Sequence, residues 1–397
     1  MHRIPAEASL IFFPRRHTPE RISDNRHDHL RHLRAGACPP HTRSGSPALA
    51  IVERDGLDGK ALLTAIAAGA EVAVRLAAGI NYSVAGPKGW HMPDIVGPFG
   101  SAAAVGWLRR FSPLQMRNAF GLAGSQSGGT WASWGTPTVK FHQSRGGASG
   151  LIAGLLAEQG FEAGSDTVGH PHGEILTAFS DGSTPEAIVA DLGERFELEE
   201  ISLRLWPGGT PLQPSLTALF DLIAREGPLV DQIEHVEVEV APAVYEAHAR
   251  FTEPQGTFEA LLSYPFVVAS ALRDRKFWLT SVSTANLDDP DIRRFMSRCV
   301  KLVSNSSLTS EISRVAITMA GGKILTAQAD GARGTSRNPA KLDDLCTKYE
   351  NCAVGRFSGT QAAELLDLLE RIDALDNLDR LFELLRSTRE RRETATG

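Results

Sequence analysis

Four cysteines in 397 residues (Cys38, Cys299, Cys346 and Cys352) are too few for a disulfide framework, and their spacing fits no zinc site. Cys346 and Cys352 are too far apart for a Cys-x-x-Cys redox pair, so all four read as structural or incidental residues in a reducing cytoplasm. Basic charge is not in excess: the formal charge is −6, which argues against a general nucleic-acid binder. No apolar run is expected to reach bilayer-spanning length, so no membrane partner is expected. LIFFP at 10–14, followed by Arg15 and Arg16, is too short for the core of a secretory signal. The glycines at 124–129 come without the lysine and spacing of a P-loop, and Ser125 is not in a G-x-S-x-G elbow. They are expected to permit close helix packing instead.

What remains is an ordinary globular composition, 42% hydrophobic and 22% charged, in a chain long enough for two domains. Residues 1–44 stand apart. They carry six of the twelve histidines (His2, His17, His27, His29, His32 and His41) and show no sustained period. The HDHLRHLR run at 27–34 offers imidazoles as metal ligands. A poorly packed tail is the expected state, and no metal or organic cofactor is assigned.

Helical spacing then dominates: 59–78, 99–110, a third helix opened by Ser112-Pro113, and 146–159. The pattern changes near Trp206. Residues 201–205 suit a strand and 211–225 a helix, while HVEVEV at 235–240 alternates strictly. Helices are expected at 257–273 and 290–302, and a hairpin at 313–330 around Gly321-Gly322. Helices return at about 340–352, 359–373 and 376–387. The expected fold is therefore mainly α, with an α+β domain over 201–337 between a helical part at 45–200 and C-terminal helices at 338–390.

Between Gly89 and Phe161, polar loops between small-residue helices are expected to carry His91, Lys140, His142 and Arg145. Small side chains let helices approach closely, so these long polar groups can converge on an anionic ligand. An imidazole suits proton transfer near neutral pH, an ammonium pairs with a carboxylate, and a guanidinium can grip one with its fork. Each also has a plainer reading, as a helix-start histidine or a surface cation. Asp94 can orient His91 or cap the helix that follows.

Three stretches, GWHMPDIVGPFGSAAA at 89–104, GTPTVKFHQSRGGASGLIAGLLAEQGF at 135–161 and GTSRNPAKLDDLCTKYENCA at 334–353, resemble the MmgE/PrpD family. The likeness runs from about Ser46 to about Arg386. It implies an all-helical domain completed by the C-terminal helices, an inserted α+β lid domain, a homodimer and chemistry without metal or cofactor. It places His91 and Lys140 at active-site positions, as acid/base and carboxylate-binding cation, with His142, Arg145 and Gln213 as substrate-binding candidates. Where decarboxylases of the family carry an active-site histidine and tyrosine, this chain has Gln213 and Phe266. Tyr264 offers a hydroxyl from a neighbouring position. Arg333 and Arg337 face either the cleft or the surface of a turn. The family's acidic N-terminal segment is not recognisable, so a truncated or frame-shifted start is an expectation here.

The function implied is a cytoplasmic hydro-lyase acting on a small di- or tricarboxylate, dehydrating it as 2-methylcitrate dehydratases do. The alternatives are an epimerase or racemase of an iminodisuccinate-like substrate and a catalytically silent relative that binds carboxylates. Decarboxylation by the family's known arrangement is not expected with Gln213 and Phe266 in place.

Overall fold

The computed structural model describes residues 41–81, 85–86, 88–169 and 174–395. The chain is mainly helical and falls into two compact units. One comprises the described residues up to Trp134 together with Thr138–Ile201 and the chain from Ala353 onward; the other comprises Gly135–Pro137 and Ser202–Cys352. The HDHLRHLR run and Cys38 lie outside the described residues. The expectation of a poorly packed tail fails at residues 41–44, where a helix already begins at His41 and Ser44 is fully buried; residues 1–40 lie outside the described residues.

The first unit is built on α1 (His41–Asp55), α2 (Gly59–Ile80), α3 (Met92–Leu108), α4 (Pro113–Gly124) and α5 (Thr138–Glu158). Asp58 caps α2 by accepting the Ala61 amide, and Asn81 ends it in the left-handed region with φ 62°. Ser112 and Gln115 close a reciprocal capping box at the start of α4, with Pro113 at its first position. Contrary to expectation, one run is apolar enough to span a bilayer: α2 reaches a mean hydropathy of 1.6 over 18 residues. Within this unit that apolar length packs on α1 and α3. It also carries a buried ion pair between Glu71 and Arg75.

Two helices begin earlier than the sequence suggests. α3 starts at Met92 and runs through Pro98, with almost its whole length buried. α5 starts at Thr138, so Lys140, His142 and Arg145 sit on its opening turns and not on a loop. Its glycines do not stop it because they are where α3 comes closest. A Cβ on Gly150 would lie 2.2 Å from the Pro98 carbonyl oxygen and 2.3 Å from Ser101 Cβ. The Ser101 hydroxyl donates to the Gly147 carbonyl at 2.7 Å across the same contact.

The second unit contains α6 (Gln213–Glu226), β1 (Ile233–Val240), α7 (Tyr264–Asp274), α8 (Pro290–Cys299), β2 (Val300–Ser304), β3 (Ser313–Met319), β4 (Ile324–Ala329) and α9 (Leu342–Ala353). Its sheet has the order β2-β1-β3-β4. β1 runs parallel to β2, with Val236 opposite Val300, and antiparallel to β3, with Val238 opposite Val315. Gly321 and Gly322, at φ 90° and 82°, turn β3 into β4 as the Gly-Gly pair implies. Val236, Val238 and Val240 are all buried, so the alternation in β1 feeds one core with Leu216, Leu219 and Phe266.

Three expectations fail here. Residues 201–205 form no strand; Leu203 makes one backbone bond to Gly334, and no ladder follows. The helix expected at 257–273 is split into Thr257–Ala260 and Tyr264–Asp274, with Ser263 capping the second part. The end of the helix expected at 290–302 is the parallel strand β2. α9 groups with the second unit, whereas a boundary at 337/338 assigns it to the C-terminal helices α10 (Gly359–Glu370) and α11 (Asp379–Ala395).

Candidate active site

His91 is the residue on which α3 opens. Its amide donates to the Gly129 carbonyl at 3.1 Å, and the Trp131 amide donates to the Gly89 carbonyl at 2.8 Å. A bridge between Trp90 and Thr130 completes this tie between 89–91 and 129–131. The tie holds the Trp131 indole edge-on to the His91 ring, with centroids 5.3 Å apart.

α5 brings His142 against His91. The two Nδ1 atoms are 2.9 Å apart, and both residues are buried, at 5% and 7% exposure. Nothing in the local sequence announces this contact, which joins residues 51 positions apart. It follows from the glycine-mediated approach of α3 and α5.

One turn beyond His91, the buried Asp94 carboxylate pairs with Arg145, whose Nε lies 3.1 Å from Oδ2. A second arm of the same guanidinium donates to the Gln126 carbonyl at 2.6 Å. The Gly128 amide donates to the Asp94 carbonyl, and the Ser127 hydroxyl donates to that of Ile95. The glycines at 128–129 thus form a tight wrap over the start of α3. At Gly129, φ is 100° and a Cβ would sit 2.8 Å from Asp94 Oδ2, so only glycine fits there. Arg145 was expected to grip a substrate carboxylate; in this structure its fork holds Asp94 and the wrap.

Lys140 is exposed on α5, two residues before His142. Two residues correspond to about 200° around a helix, so its side chain leaves α5 on the opposite side from the imidazole. His91, His142, Asp94 and Arg145 are therefore brought together, while Lys140 is not: it stands on the exposed, opposite face of the same helix. Phe141 beside it is 61% exposed.

Gln213 belongs to the second unit, where it opens α6. Its amide accepts from the Trp206 N–H at 3.3 Å and donates to the Trp206 carbonyl at 3.1 Å. The Tyr264 hydroxyl donates to the Pro211 carbonyl at 2.7 Å, and burial pushes its phenol well above the usual range. Both side chains expected to meet a ligand are engaged in holding the 206–213 loop. Phe266 is fully buried. Arg333 bridges Asp221 and Asp344, and Arg337 pairs with Glu311.

Two titratable groups escape a reading by motif. Lys348 on α9 donates to the Arg204 carbonyl at 2.7 Å, and desolvation pushes its ammonium down to about 8. His248 is buried, with Nδ1 donating to the Leu262 carbonyl at 2.9 Å. Burial holds its imidazole below the ordinary histidine value. Lys348 lies within the family-like stretch 334–353 and His248 outside all three, and for both it is packing that reveals the perturbed group. Among the described residues, no three His, Cys, Asp or Glu side chains gather as a metal site.

The paired helices carrying His91 and His142, followed by the separate α+β unit, match a known family in both halves. The MmgE/PrpD N-terminal domain matches residues 31–187, and the MmgE/PrpD C-terminal domain matches residues 206–374. The chain belongs to the MmgE/PrpD family. It is 25% identical to a human cis-aconitate decarboxylase over 307 residues, covering 74% of this chain and 62% of that protein. A mouse cis-aconitate decarboxylase is 26% identical over 328 residues, covering 79% of this chain and 65% of the relative. One from Aspergillus terreus is 24% identical over 300 residues, covering 70% and 61%. The chain thus spans somewhat under two thirds of the length of these relatives.

Proposed function

We propose that this chain is a lyase acting on a small di- or tricarboxylate by proton transfer at a carbon beside a carboxylate. The observation that carries the reading is the buried His91–His142 pair at 2.9 Å, backed by the Asp94–Arg145 ion pair. His91 removes or returns the proton. Lys140 is given the carboxylate-binding, charge-stabilising role by its place in the family-like stretch alone, since its side chain leaves α5 on the side away from His142. His142 and Arg145 shape the site around the reacting carbon.

Dehydration, the loss of a proton and a hydroxide from adjacent carbons, is the leading reaction. Its alternative is decarboxylation, favoured by the names of the relatives and opposed by Gln213 and Phe266. The enzyme is proposed to work as a cytoplasmic homodimer on a small carboxylate, without a cofactor.

Incubating the full chain with citrate-like acids in deuterium oxide tests this. Proton–deuteron exchange or loss of water, abolished in His91→Ala and Lys140→Ala, is the expected result. Release of carbon dioxide instead selects the alternative. Calorimetric binding of such acids without exchange or turnover indicates a silent carboxylate-binding relative and ends the enzymatic reading.

A further inference from the structure

α2 and α3 cross where Gly69 meets Gly100. A Cβ on Gly69 would also meet Ala104, and one on Gly100 would meet Ala73, so the two helices run antiparallel. The start of α2 and the end of α3 therefore lie together. Between these helices and α4 runs a groove of about 850 Å³.

Its lining is sorted by chemistry. The charged residues, Asp58, Lys60 and Arg110, all stand where α2 starts and α3 ends. Beyond them the lining is small or apolar, with Ala68 and Val72 from α2 facing Trp107, Met116 and Phe120 from α3 and α4. Asp58 is engaged in capping α2, accepting the Ala61 amide at 2.6 Å, and the Thr64 hydroxyl turns back to the Lys60 carbonyl. Arg109 is held by Asp55 and Glu158. Lys60 and Arg110 are exposed and form no ion pair among the described residues. Arg110 is displayed by a left-handed turn at φ 54°, and Trp107 stays 53% exposed at the rim.

We propose that this groove is a binding site for a free long-chain fatty acid. Two cations at one end of an apolar track complement a molecule with one anionic head and an alkyl tail. An amphipathic helix would call for charge along the whole rim, and past Lys60 and Arg110 the lining residues carry none. The carboxylate lies between the Lys60 ammonium and the Arg110 guanidinium, and the tail runs past Ala68 toward Val72 and Phe120. The site is separate from the imidazole pair. His91 opens α3 and Arg110 follows its end, so a helix of 17 residues, about 25 Å long, stands between them.

Calorimetric titration of the full chain with dodecanoate, kept below its micelle-forming concentration, tests this without reference to turnover. Saturable binding at one site is expected, weakening about twofold to fourfold for each methylene removed through decanoate to octanoate. Dodecyltrimethylammonium, with the same tail and the opposite charge, should bind about 10-fold more weakly or not at all. Lys60→Gln combined with Arg110→Asn should weaken dodecanoate about 10-fold, with a larger effect at low salt. Asparagine is chosen at 110 because it tolerates the left-handed turn. Ala68→Phe fills the track and should abolish binding while circular dichroism shows the helical content unchanged. Should that variant not fold, the tail-length and head-charge series on the unsubstituted chain still decide. No binding, equal affinity for the cationic amphiphile, or affinity independent of tail length overturns the proposal. So does dodecanoate binding untouched by Ala68→Phe, or adherence to anionic phospholipid vesicles without binding of monomeric dodecanoate. A dimer that excludes dodecanoate and that Ala68→Phe dissociates assigns the groove to a second copy of the chain, and overturns it as well.

Discussion

Glu71 and Arg75, one turn apart on α2, form an ion pair at 2.5 Å with both residues buried. Their remaining hydrogen bonds all reach one distant segment. Arg75 donates to the carbonyls of Ile188, Ala190 and Arg195, and Glu71 accepts the amides of Glu197 and Leu198. The pair is the clasp that seats residues 188–198 on the helical unit. Arg75→Met leaves a buried carboxylate uncompensated and frees three carbonyls. Urea unfolding should show a loss of about 3–5 kcal/mol. A double-mutant cycle with Glu71→Gln should show coupling well above that of an exposed pair.

The α3–α5 contact tolerates no added atom at Gly150. Gly150→Ala puts a methyl group 2.2 Å from the Pro98 carbonyl oxygen, on backbone that cannot move aside as a side chain can. A loss of about 1–3 kcal/mol in thermal unfolding is expected. The His91–His142 bond should weaken with it, which the imidazole NMR signals report.

Gln213 is predicted to matter for stability. Gln213→Leu strips both the N–H and the carbonyl of buried Trp206 of their side-chain partner. Denaturant unfolding should show a loss of about 1–3 kcal/mol. If Gln213→Leu leaves stability unchanged but weakens carboxylate binding, the framework role is wrong.

His248 gives a pH signature of defined sign. Burial lowers its pKa in the fold, the nearby Arg250 adds to this, and the Leu262 carbonyl opposes it. The unfolded chain then takes up the proton first, so this contribution to stability is present above about pH 6.5. It is lost as the pH falls below that value toward the folded-state pKa. Unfolding free energies measured from pH 7.5 down to 5 should fall less steeply in His248→Phe than in the unsubstituted chain.

Sequence order revealed the elements whose signals are local. α2 and α4 announce their ends through Asp58 and through the Ser112–Gln115 box. β3 and β4 declare their turn through two successive glycines. The start of α5 was hidden because Gly146-Gly147 carry a helix-stopping propensity that packing on α3 overrides. β2 was hidden because five residues, VKLVS, directly continue an amphipathic helix and pair with a strand some sixty positions earlier. Of the site, the polar residue types at 91, 142 and 145 were legible as a group that small-residue helices could bring together. Their division of labour was not, because it depends on contacts such as 91 with 142 and 94 with 145. Gln213 was assigned to a ligand because it stands where the family's decarboxylases carry a histidine, and that position said nothing of the Trp206 backbone beside it.

The three glycines on the inner edge of α5 set how far apart two proton-carrying rings stand. Gly146, Gly150 and Gly154 each abut α3, and His91 and His142 are the groups those two helices carry at one end. The stability of the core and the spacing of the two imidazoles therefore depend on the same handful of hydrogen atoms. An engineer who adds bulk to that seam will loosen the core and shift the two rings by the same stroke.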